Sequence, residues 1–290
     1  MALTIGDLIA EGADRIRRSP HIDHWQEEAA RFDAEAFLAS VTDVGDPAAV
    51  VPARAVRRFE RMVDRRVRGE PAARILGSVD FLDLEVRVRD GAFFPRISSE
   101  TMTREAARRL RGRRRPVHVD LATGVGPVAL GVAHLVPAAE VHGVDILPAA
   151  VEGARANARR LGLRGARFHL GDLFAPLPPR LRGRTDAITI HPPYIGEGEV
   201  EDQPQEITAY EPAVTLTDFS PDGLGMVRRV AAEAPGWLRP NGWLLIEVGT
   251  DLGRRAAGIL RRAGYRDVET VADEYGITRT AIGRRPRRAP

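Results

Sequence analysis

The 290-residue sequence contains no cysteine and no lysine, and it has only three tryptophans and four tyrosines. Without cysteine there can be no disulfide framework, thiolate zinc site, iron–sulfur cluster or cysteine nucleophile. No segment approaches the roughly twenty consecutive apolar residues that a membrane span requires, so a transmembrane protein is not expected. Asp7, Glu11 and Asp14 interrupt the apolar residues of the first twenty positions, unlike the basic start and apolar centre of a secretory signal. A cytoplasmic location is the expectation. Because lysine is absent, all 43 basic residues are arginine, set against 40 acidic residues. Arginine titrates so high that it lifts the pI to 9.9 while the net charge is only +3. The basic pI is therefore no argument for a stable nucleic-acid partner.

What is present is the mix of a globular chain, 43% hydrophobic and 29% charged. Residues 1–68 read as a helical N-terminal domain: Leu3, Ile5, Leu8, Ile9 and Ile16 fall near helical spacing, as do Phe32, Ala36 and Phe37, then Val56, Phe59, Met62, Val63 and Val67. Over 69–95 the period becomes two. Phe81, Leu84, Val86 and Val88 alternate with polar residues, and Asp90-Gly91 offers a turn, which predicts a β-hairpin linker. Residues 96–285 alternate strand-like runs (Val117 to Asp120, Glu140 to Ile146, Ala166 to Leu170, Asp186 to Ile190, Trp243 to Val248) with helical stretches. This is the pattern of a Rossmann-like α/β domain with a mostly parallel sheet. Two last runs, Asp267 to Ala272 and Thr278 to Gly283, are too close for a crossover helix, so an antiparallel end to the sheet is expected. The tail, 286–290, reads as disordered.

The first α/β strand ends in Asp120-Leu121-Ala122-Thr123-Gly124-Val125-Gly126-Pro127. Gly124 and Gly126 permit a tight turn and close approach of a ligand, and Pro127 suits the first turn of a helix. Gly124 to Ala129 fits G-x-G-x-x-A, with Asp145 about twenty residues on, so this loop alone permits an NAD-dependent oxidoreductase. The discriminating feature follows the fourth strand, where Ile188-Thr189-Ile190 runs into His191-Pro192-Pro193-Tyr194. Two prolines remove two N–H donors and leave carbonyl acceptors beside an aromatic ring. Such a pocket suits an N–H or O–H nucleophile that must be oriented, and suits neither hydride transfer nor phosphate.

At this point the sequence resembles the class I methyltransferases that use S-adenosylmethionine, and within them the N5-glutamine methyltransferases of peptide-chain release factors (the PrmC/HemK group). Arg65 to Pro71, Ile75-Leu76-Gly77 and Phe81 resemble that family's hairpin entry, and Phe94 to Glu100 is similar to its Pro-Arg-x-x-Thr-Glu segment. Asp120 to Leu130 resembles its Asp-Leu-Gly-Thr-Gly-Ser-Gly loop, and His191 to Tyr194 its Asn-Pro-Pro-Tyr motif. Tyr210-Glu211-Pro212, Asp222-Gly223-Leu224 and Glu247-Val248-Gly249 fall where the family has comparable residues. The resemblance implies S-adenosylmethionine as cofactor, held by Asp120, Ala122, Thr123, Gly124, Gly126, Asp145, Ile146, Asp172, Leu173 and His191, with Asp145 on the ribose and Asp172 on the adenine amino group. It implies catalytic roles for His191, Pro192 and Tyr194, acceptor contacts from Arg96, Pro193, Tyr194 and Glu211, and no metal.

Two departures stand out. Ala122 replaces a glycine, which adds strain if that residue needs positive φ. His191 replaces the asparagine whose side-chain oxygen accepts from the glutamine amide in the family. An imidazole accepts from a different place and can take a proton outright. The expected function is a methyltransferase diverged toward another nitrogen or oxygen nucleophile, such as a small specialised metabolite. The alternative is authentic glutamine N5-methylation of a release factor, and more distant readings are the oxidoreductase and a non-catalytic cofactor-binding scaffold. Elsewhere, Arg109 to Arg115 reads as a solvated loop because no aromatic residue is interleaved with the arginines. His118, His134, His142 and His169 lack metal-ligand spacing. Ser98 and Ser99 read as helix caps, and Gly196 to Glu211 as a mobile loop or a lid over the acceptor.

Overall fold

In the computed structural model, which describes residues 3–22, 28–249, 252–273 and 276–286, the amphipathic N-terminal stretches become helices Ile5–Arg17, Ala29–Ala39 and Ala53–Val67, followed by the short helix Ala72–Leu76. The expected tail lies outside the described residues except for Pro286. Thr4 starts the first helix with a capping box: its hydroxyl accepts from the Asp7 N–H while the Asp7 carboxylate accepts from the Thr4 N–H, both at 3.2 Å. Ile5, Leu8, Ile16, Phe37, Leu38, Phe59 and Val63 form a core of their own. The helices approach closely at Gly12, where an added Cβ would lie 2.6 Å from the Phe59 ring.

The chain divides into two compact units, and the helical one takes Met1–Ser78 together with Glu201–Tyr210. The acid-rich segment after the Pro-Pro-Tyr loop is thus partly a piece of the helical unit. It holds the one-turn helix Gln205–Thr208, and Glu206 pairs with Arg66 at 2.5 Å. Arg66 also donates to Asp33 at 2.6 Å, so one nearly buried guanidinium neutralises two carboxylates.

The second unit comprises Val79–Val200 and Glu211–Pro290. Near its start, β1 (Ser78–Phe81) and β2 (Leu84–Arg87) form a two-stranded sheet. Its turn is not at Asp90-Gly91 as the sequence suggested but at Leu82-Asp83, whose φ values of 51° and 63° are those of a type I′ turn. Seven further strands make the main sheet: β3 (Val117–Leu121), β4 (Glu140–Asp145), β5 (Ala166–Leu170), β6 (Thr185–Ile190), β7 (Leu238–Glu247), β8 (Arg266–Ala272) and β9 (Thr278–Arg284). Their order is β5-β4-β3-β6-β7-β9-β8. The first five pair in parallel, and β9 runs antiparallel to both β7 and β8, as the short final connection requires.

Strand alternation splits the apolar residues between two layers. Val119, Leu121, Ile188, Ile190, Leu244 and Ile246 face one core with helices Gly225–Glu233 and Gly253–Arg262. Ala187, Leu245 and Ile282 face the other, with the hairpin and helices Ser99–Leu110, Pro127–Leu135 and Pro148–Arg160. Both faces of the sheet are covered, so β3 and β6 are buried along their whole length. No helix among the described residues is long and apolar enough to cross a membrane.

The arginine run corrects one expectation. Arg109 is not solvated: it pairs with Glu105 and Glu269 and lies 4.7 Å over the Trp243 ring. The aromatic partner comes from β7, far along the chain, and so was invisible locally.

Candidate active site

Leu121 of β3 lies opposite Ile190 of β6, so the chain leaves the sheet at adjacent points as Ala122 and as His191. Both loops open at the carboxyl edge where the strand order reverses, the place where open α/β sheets bind ligands. Ala122, Gly124 and Gly126 have φ of 49°, 56° and 90°, which turns the chain sharply into helix Pro127–Leu135. Ala122 thus does sit at positive φ, where its Cβ crowds the following carbonyl. Ala122→Gly is expected to stabilise the fold by roughly 1 kcal/mol, after allowing for the larger unfolded-state entropy of glycine, and to raise the melting temperature.

Two carboxylates organise this loop. Asp145, ending β4, accepts from the Gly124 N–H at 2.8 Å and from the Leu147 N–H at 2.9 Å. Asp120 accepts from the hydroxyls of Thr123 at 2.6 Å and Thr189 at 2.7 Å. Burial raises both carboxyl groups above their ordinary range, Asp120 to about 7, with the hydrogen bonds opposing. His118, 2.9 Å from Thr189, is pushed down to about 3 chiefly by burial and is neutral. Beside Asp145, Ile146 is 54% exposed, and Leu170 at the end of β5 is 50% exposed. Two large apolar side chains left open next to a buried acid form a shelf suited to a flat ring system.

The neighbouring turn departs from the expected arrangement. Asp172 is held by Arg229 through two hydrogen bonds of 3.2 and 2.5 Å, so an adenine amino group would share this carboxylate with a guanidinium. Leu173 places its side chain in the core, which leaves only its main chain for a ligand.

On the other side of the loop, the His191 ring sits between Phe93, edge-on with centroids 5.3 Å apart, and Tyr194, stacked at 5.6 Å. Pro192 and Pro193 are buried beside them. His191 Nδ1 lies 3.1 Å from Ser99 Oγ and 3.6 Å from Glu247 Oε2. Glu247 Oε1 accepts from Ser98 Oγ at 2.8 Å, whereas Oε2 is buried without a hydrogen bond. Burial chiefly lowers the imidazole pKa, Glu247 opposes it, and Arg96 and Arg279 add to it, so His191 is neutral at neutral pH. Burial likewise raises the Tyr194 phenol and keeps it protonated. The serines are therefore not the helix caps expected: Ser98 occupies the cap position without a capping bond, and both hydroxyls turn toward the site.

Arg96 crosses the Phe93 face at 4.4 Å and donates to Glu211 at 2.7 Å. Glu211 also accepts from the Phe94 N–H at 3.0 Å, and its side chain is 1% exposed. It can hold Arg96 and the Phe94 main chain in place, but it cannot reach an acceptor as the sequence suggested. Arg96, Asp120, Ala122, Thr123, Gly124 and His191 line one recess with Phe93, Pro95, Ser99, Pro127 and Val128. Asp145 joins it through Gly124, and Tyr194 through His191. Sequence reasoning missed Phe93, Ser99 and the part played by Glu247. The available signal for Glu247 was a carboxylate closing the apolar run Leu244-Leu245-Ile246. The strand histidines are separate: His142 and His169 approach at 2.9 Å, and among the described residues no group could hold a metal ion.

Comparison with known proteins accords with this geometry. Residues 116–247 match the family described as methyltransferase domain, and residues 23–77 that described as PrmC N-terminal domain. A release factor glutamine methyltransferase of Moorella thermoacetica is 35% identical over 89% of this chain and 92% of its own length. One from Geobacter sulfurreducens is 36% identical over 77% of this chain and 76% of its own. Among solved structures, a T. thermophilus 16S rRNA N2 methyltransferase in complex with AdoMet and guanosine aligns with a TM-score of 0.53 at 21% identity, over 72% of this chain and 49% of that one, a likeness of fold.

Proposed function

Because the chain belongs to the release factor glutamine methyltransferase family, we propose that it transfers methyl from S-adenosylmethionine to the side-chain amide nitrogen of a glutamine in a peptide-chain release factor. It is an S-adenosylmethionine-dependent methyltransferase. The methyltransferase match over 116–247 displaces the oxidoreductase reading of the glycine loop. The expected drift to a different acceptor also gives way. The observation that carries the release-factor reading is likeness along 89% of the chain, helical unit included, to an enzyme of that name.

The recess has the chemistry the cofactor needs. The turn from Ala122 to Gly126 lets main chain approach the methionine portion, with open space at Gly124, where an added Cβ would come no nearer than 3.6 Å to the Phe93 carbonyl. Asp145 uses one lone pair of each oxygen on Gly124 and Leu147, so each retains capacity for a ribose hydroxyl. Ile146 would cover the base, with Asp172 at its edge. The bound cofactor supplies a methyl group already activated on a sulfonium, so the protein needs neither metal nor covalent intermediate. What the chain's residues add is alignment and exclusion of water. The rings of Phe93, His191 and Tyr194 form the wall, Pro192 and Pro193 fix its backbone, and Arg96 anchors Phe93.

The test is incubation of the protein with radiolabelled S-adenosylmethionine and a purified release factor, followed by mass spectrometry of the labelled peptide. Label on a glutamine side chain is the expected result. Intact S-adenosylhomocysteine binding without labelling of the release factor would reject this acceptor.

A further inference from the structure

The contacts of His191 are one-sided. Nδ1 faces Ser99 Oγ at 3.1 Å and Glu247 Oε2 at 3.6 Å, while Nε2 makes no hydrogen bond among the described residues. A carboxylate oxygen can only accept, and Glu247 Oε2 is buried with that capacity unused. An orphaned buried acceptor is costly unless a donor serves it. A proton on Nδ1, 3.6 Å away, is placed to serve it after a small approach, with Ser98 holding the other carboxylate oxygen in position. We infer that Glu247 is a positioning residue that fixes His191 as the Nδ1–H tautomer, so that Nε2 receives the proton lost by the methyl acceptor. This deepens the proposed glutamine methylation and rests on it for the identity of the acceptor.

The atom balance requires such a receiver. As the N–CH3 bond forms from the amide nitrogen, the S–CH3 bond breaks with its electron pair left on sulfur, and one N–H proton has to leave. An amide nitrogen that keeps that proton would carry a full positive charge in a water-poor pocket. Transfer to Nε2 moves the charge to an imidazolium whose Nδ1–H faces a carboxylate. The groups around the ring divide in sign. Glu247 favours the imidazolium, whereas Arg96, compensated by Glu211, and Arg279, compensated by Asp273, oppose it. The Tyr194 phenol stacked on the ring stays neutral. Without Glu247 the ring would lose the charge that favours its imidazolium.

Nitrogen-15 NMR of the cofactor-free protein reads the tautomer directly. The expected result is protonation of Nδ1 and a bare Nε2 near neutral pH in the native protein, with that preference lost in Glu247→Gln and retained in Glu247→Asp. Under saturating cofactor and release factor, Glu247→Gln should lower kcat 10–100-fold. It should change KM and S-adenosylhomocysteine affinity by less than about threefold, with partial rescue by Glu247→Asp. An Nε2–H tautomer in the native protein, or a tautomer indifferent to Glu247→Gln, would overturn the inference. A native protein that shows the Nδ1–H tautomer but leaves the release factor unlabelled would instead overturn the choice of acceptor.

Discussion

Asp145→Ala should weaken binding of S-adenosylhomocysteine by at least about 100-fold in isothermal titration calorimetry, which corresponds to about 2.7 kcal/mol. The carboxylate ties Gly124 and Leu147 main-chain N–H groups to the end of β4 at 2.8 and 2.9 Å. Hydrogen bonds to a charged group contribute roughly 1.5–3 kcal/mol each, and their removal frees the turn that the cofactor needs preformed. In the proposed cofactor pose, two ribose hydroxyls would lose their acceptor in the same step. Asp145→Asn should do little better, because an amide presents NH2 where Asp145 offers only acceptors to the two N–H donors. Affinity within threefold of native for both variants would show that the ribose is held elsewhere.

The second large effect belongs to the helical unit. Arg66→Ala should destabilise it by about 3–5 kcal/mol in urea unfolding, the usual result of stranding buried charge. Arg66 is 7% exposed and serves Asp33 and Glu206 at once. Burial already raises the Asp33 carboxyl above its ordinary range despite the guanidinium beside it. With the cation gone, both carboxylates lose the positive charge that Arg66 supplies, so adding Asp33→Asn and Glu206→Gln to Arg66→Ala should recover part of the loss. No recovery in the triple variant would mean that Arg66 acts by packing its stem and not by neutralising charge.

The sheet was legible because its central strands are buried on both faces and stand out as largely apolar stretches between glycine and proline breaks. The glycine loop and Pro-Pro-Tyr were legible because the residue types that make such turns are few. The hairpin turn was misplaced since Leu82 and Asp83 are poor signals for positive φ, whereas Asp90-Gly91 is a strong one that the fold uses differently. The start of β7 was hidden in the same way, by Pro240-Asn241-Gly242, which reads as a turn but lies within the strand with Asn241 at φ 64°. Serines before a helix are ordinarily caps. That Ser98 and Ser99 reach Glu247 and His191 depends on strands joined only by the sheet, and no local pattern encodes it. The same distance in sequence hid the ion pair that occupies Asp172.

The assignment of Glu201–Tyr210 to the helical unit has a bearing on modularity. The polypeptide passes between the units after Ser78, again after Val200, and back after Tyr210, so neither body is a continuous stretch of gene. A catalytic fragment beginning at Val79 would carry ten residues stripped of the surface they fold on, including Glu206 without Arg66. Grafting the first 78 residues onto another methyltransferase would transplant a recipient lacking its insert. The two units are therefore bound to be inherited, exchanged and lost together.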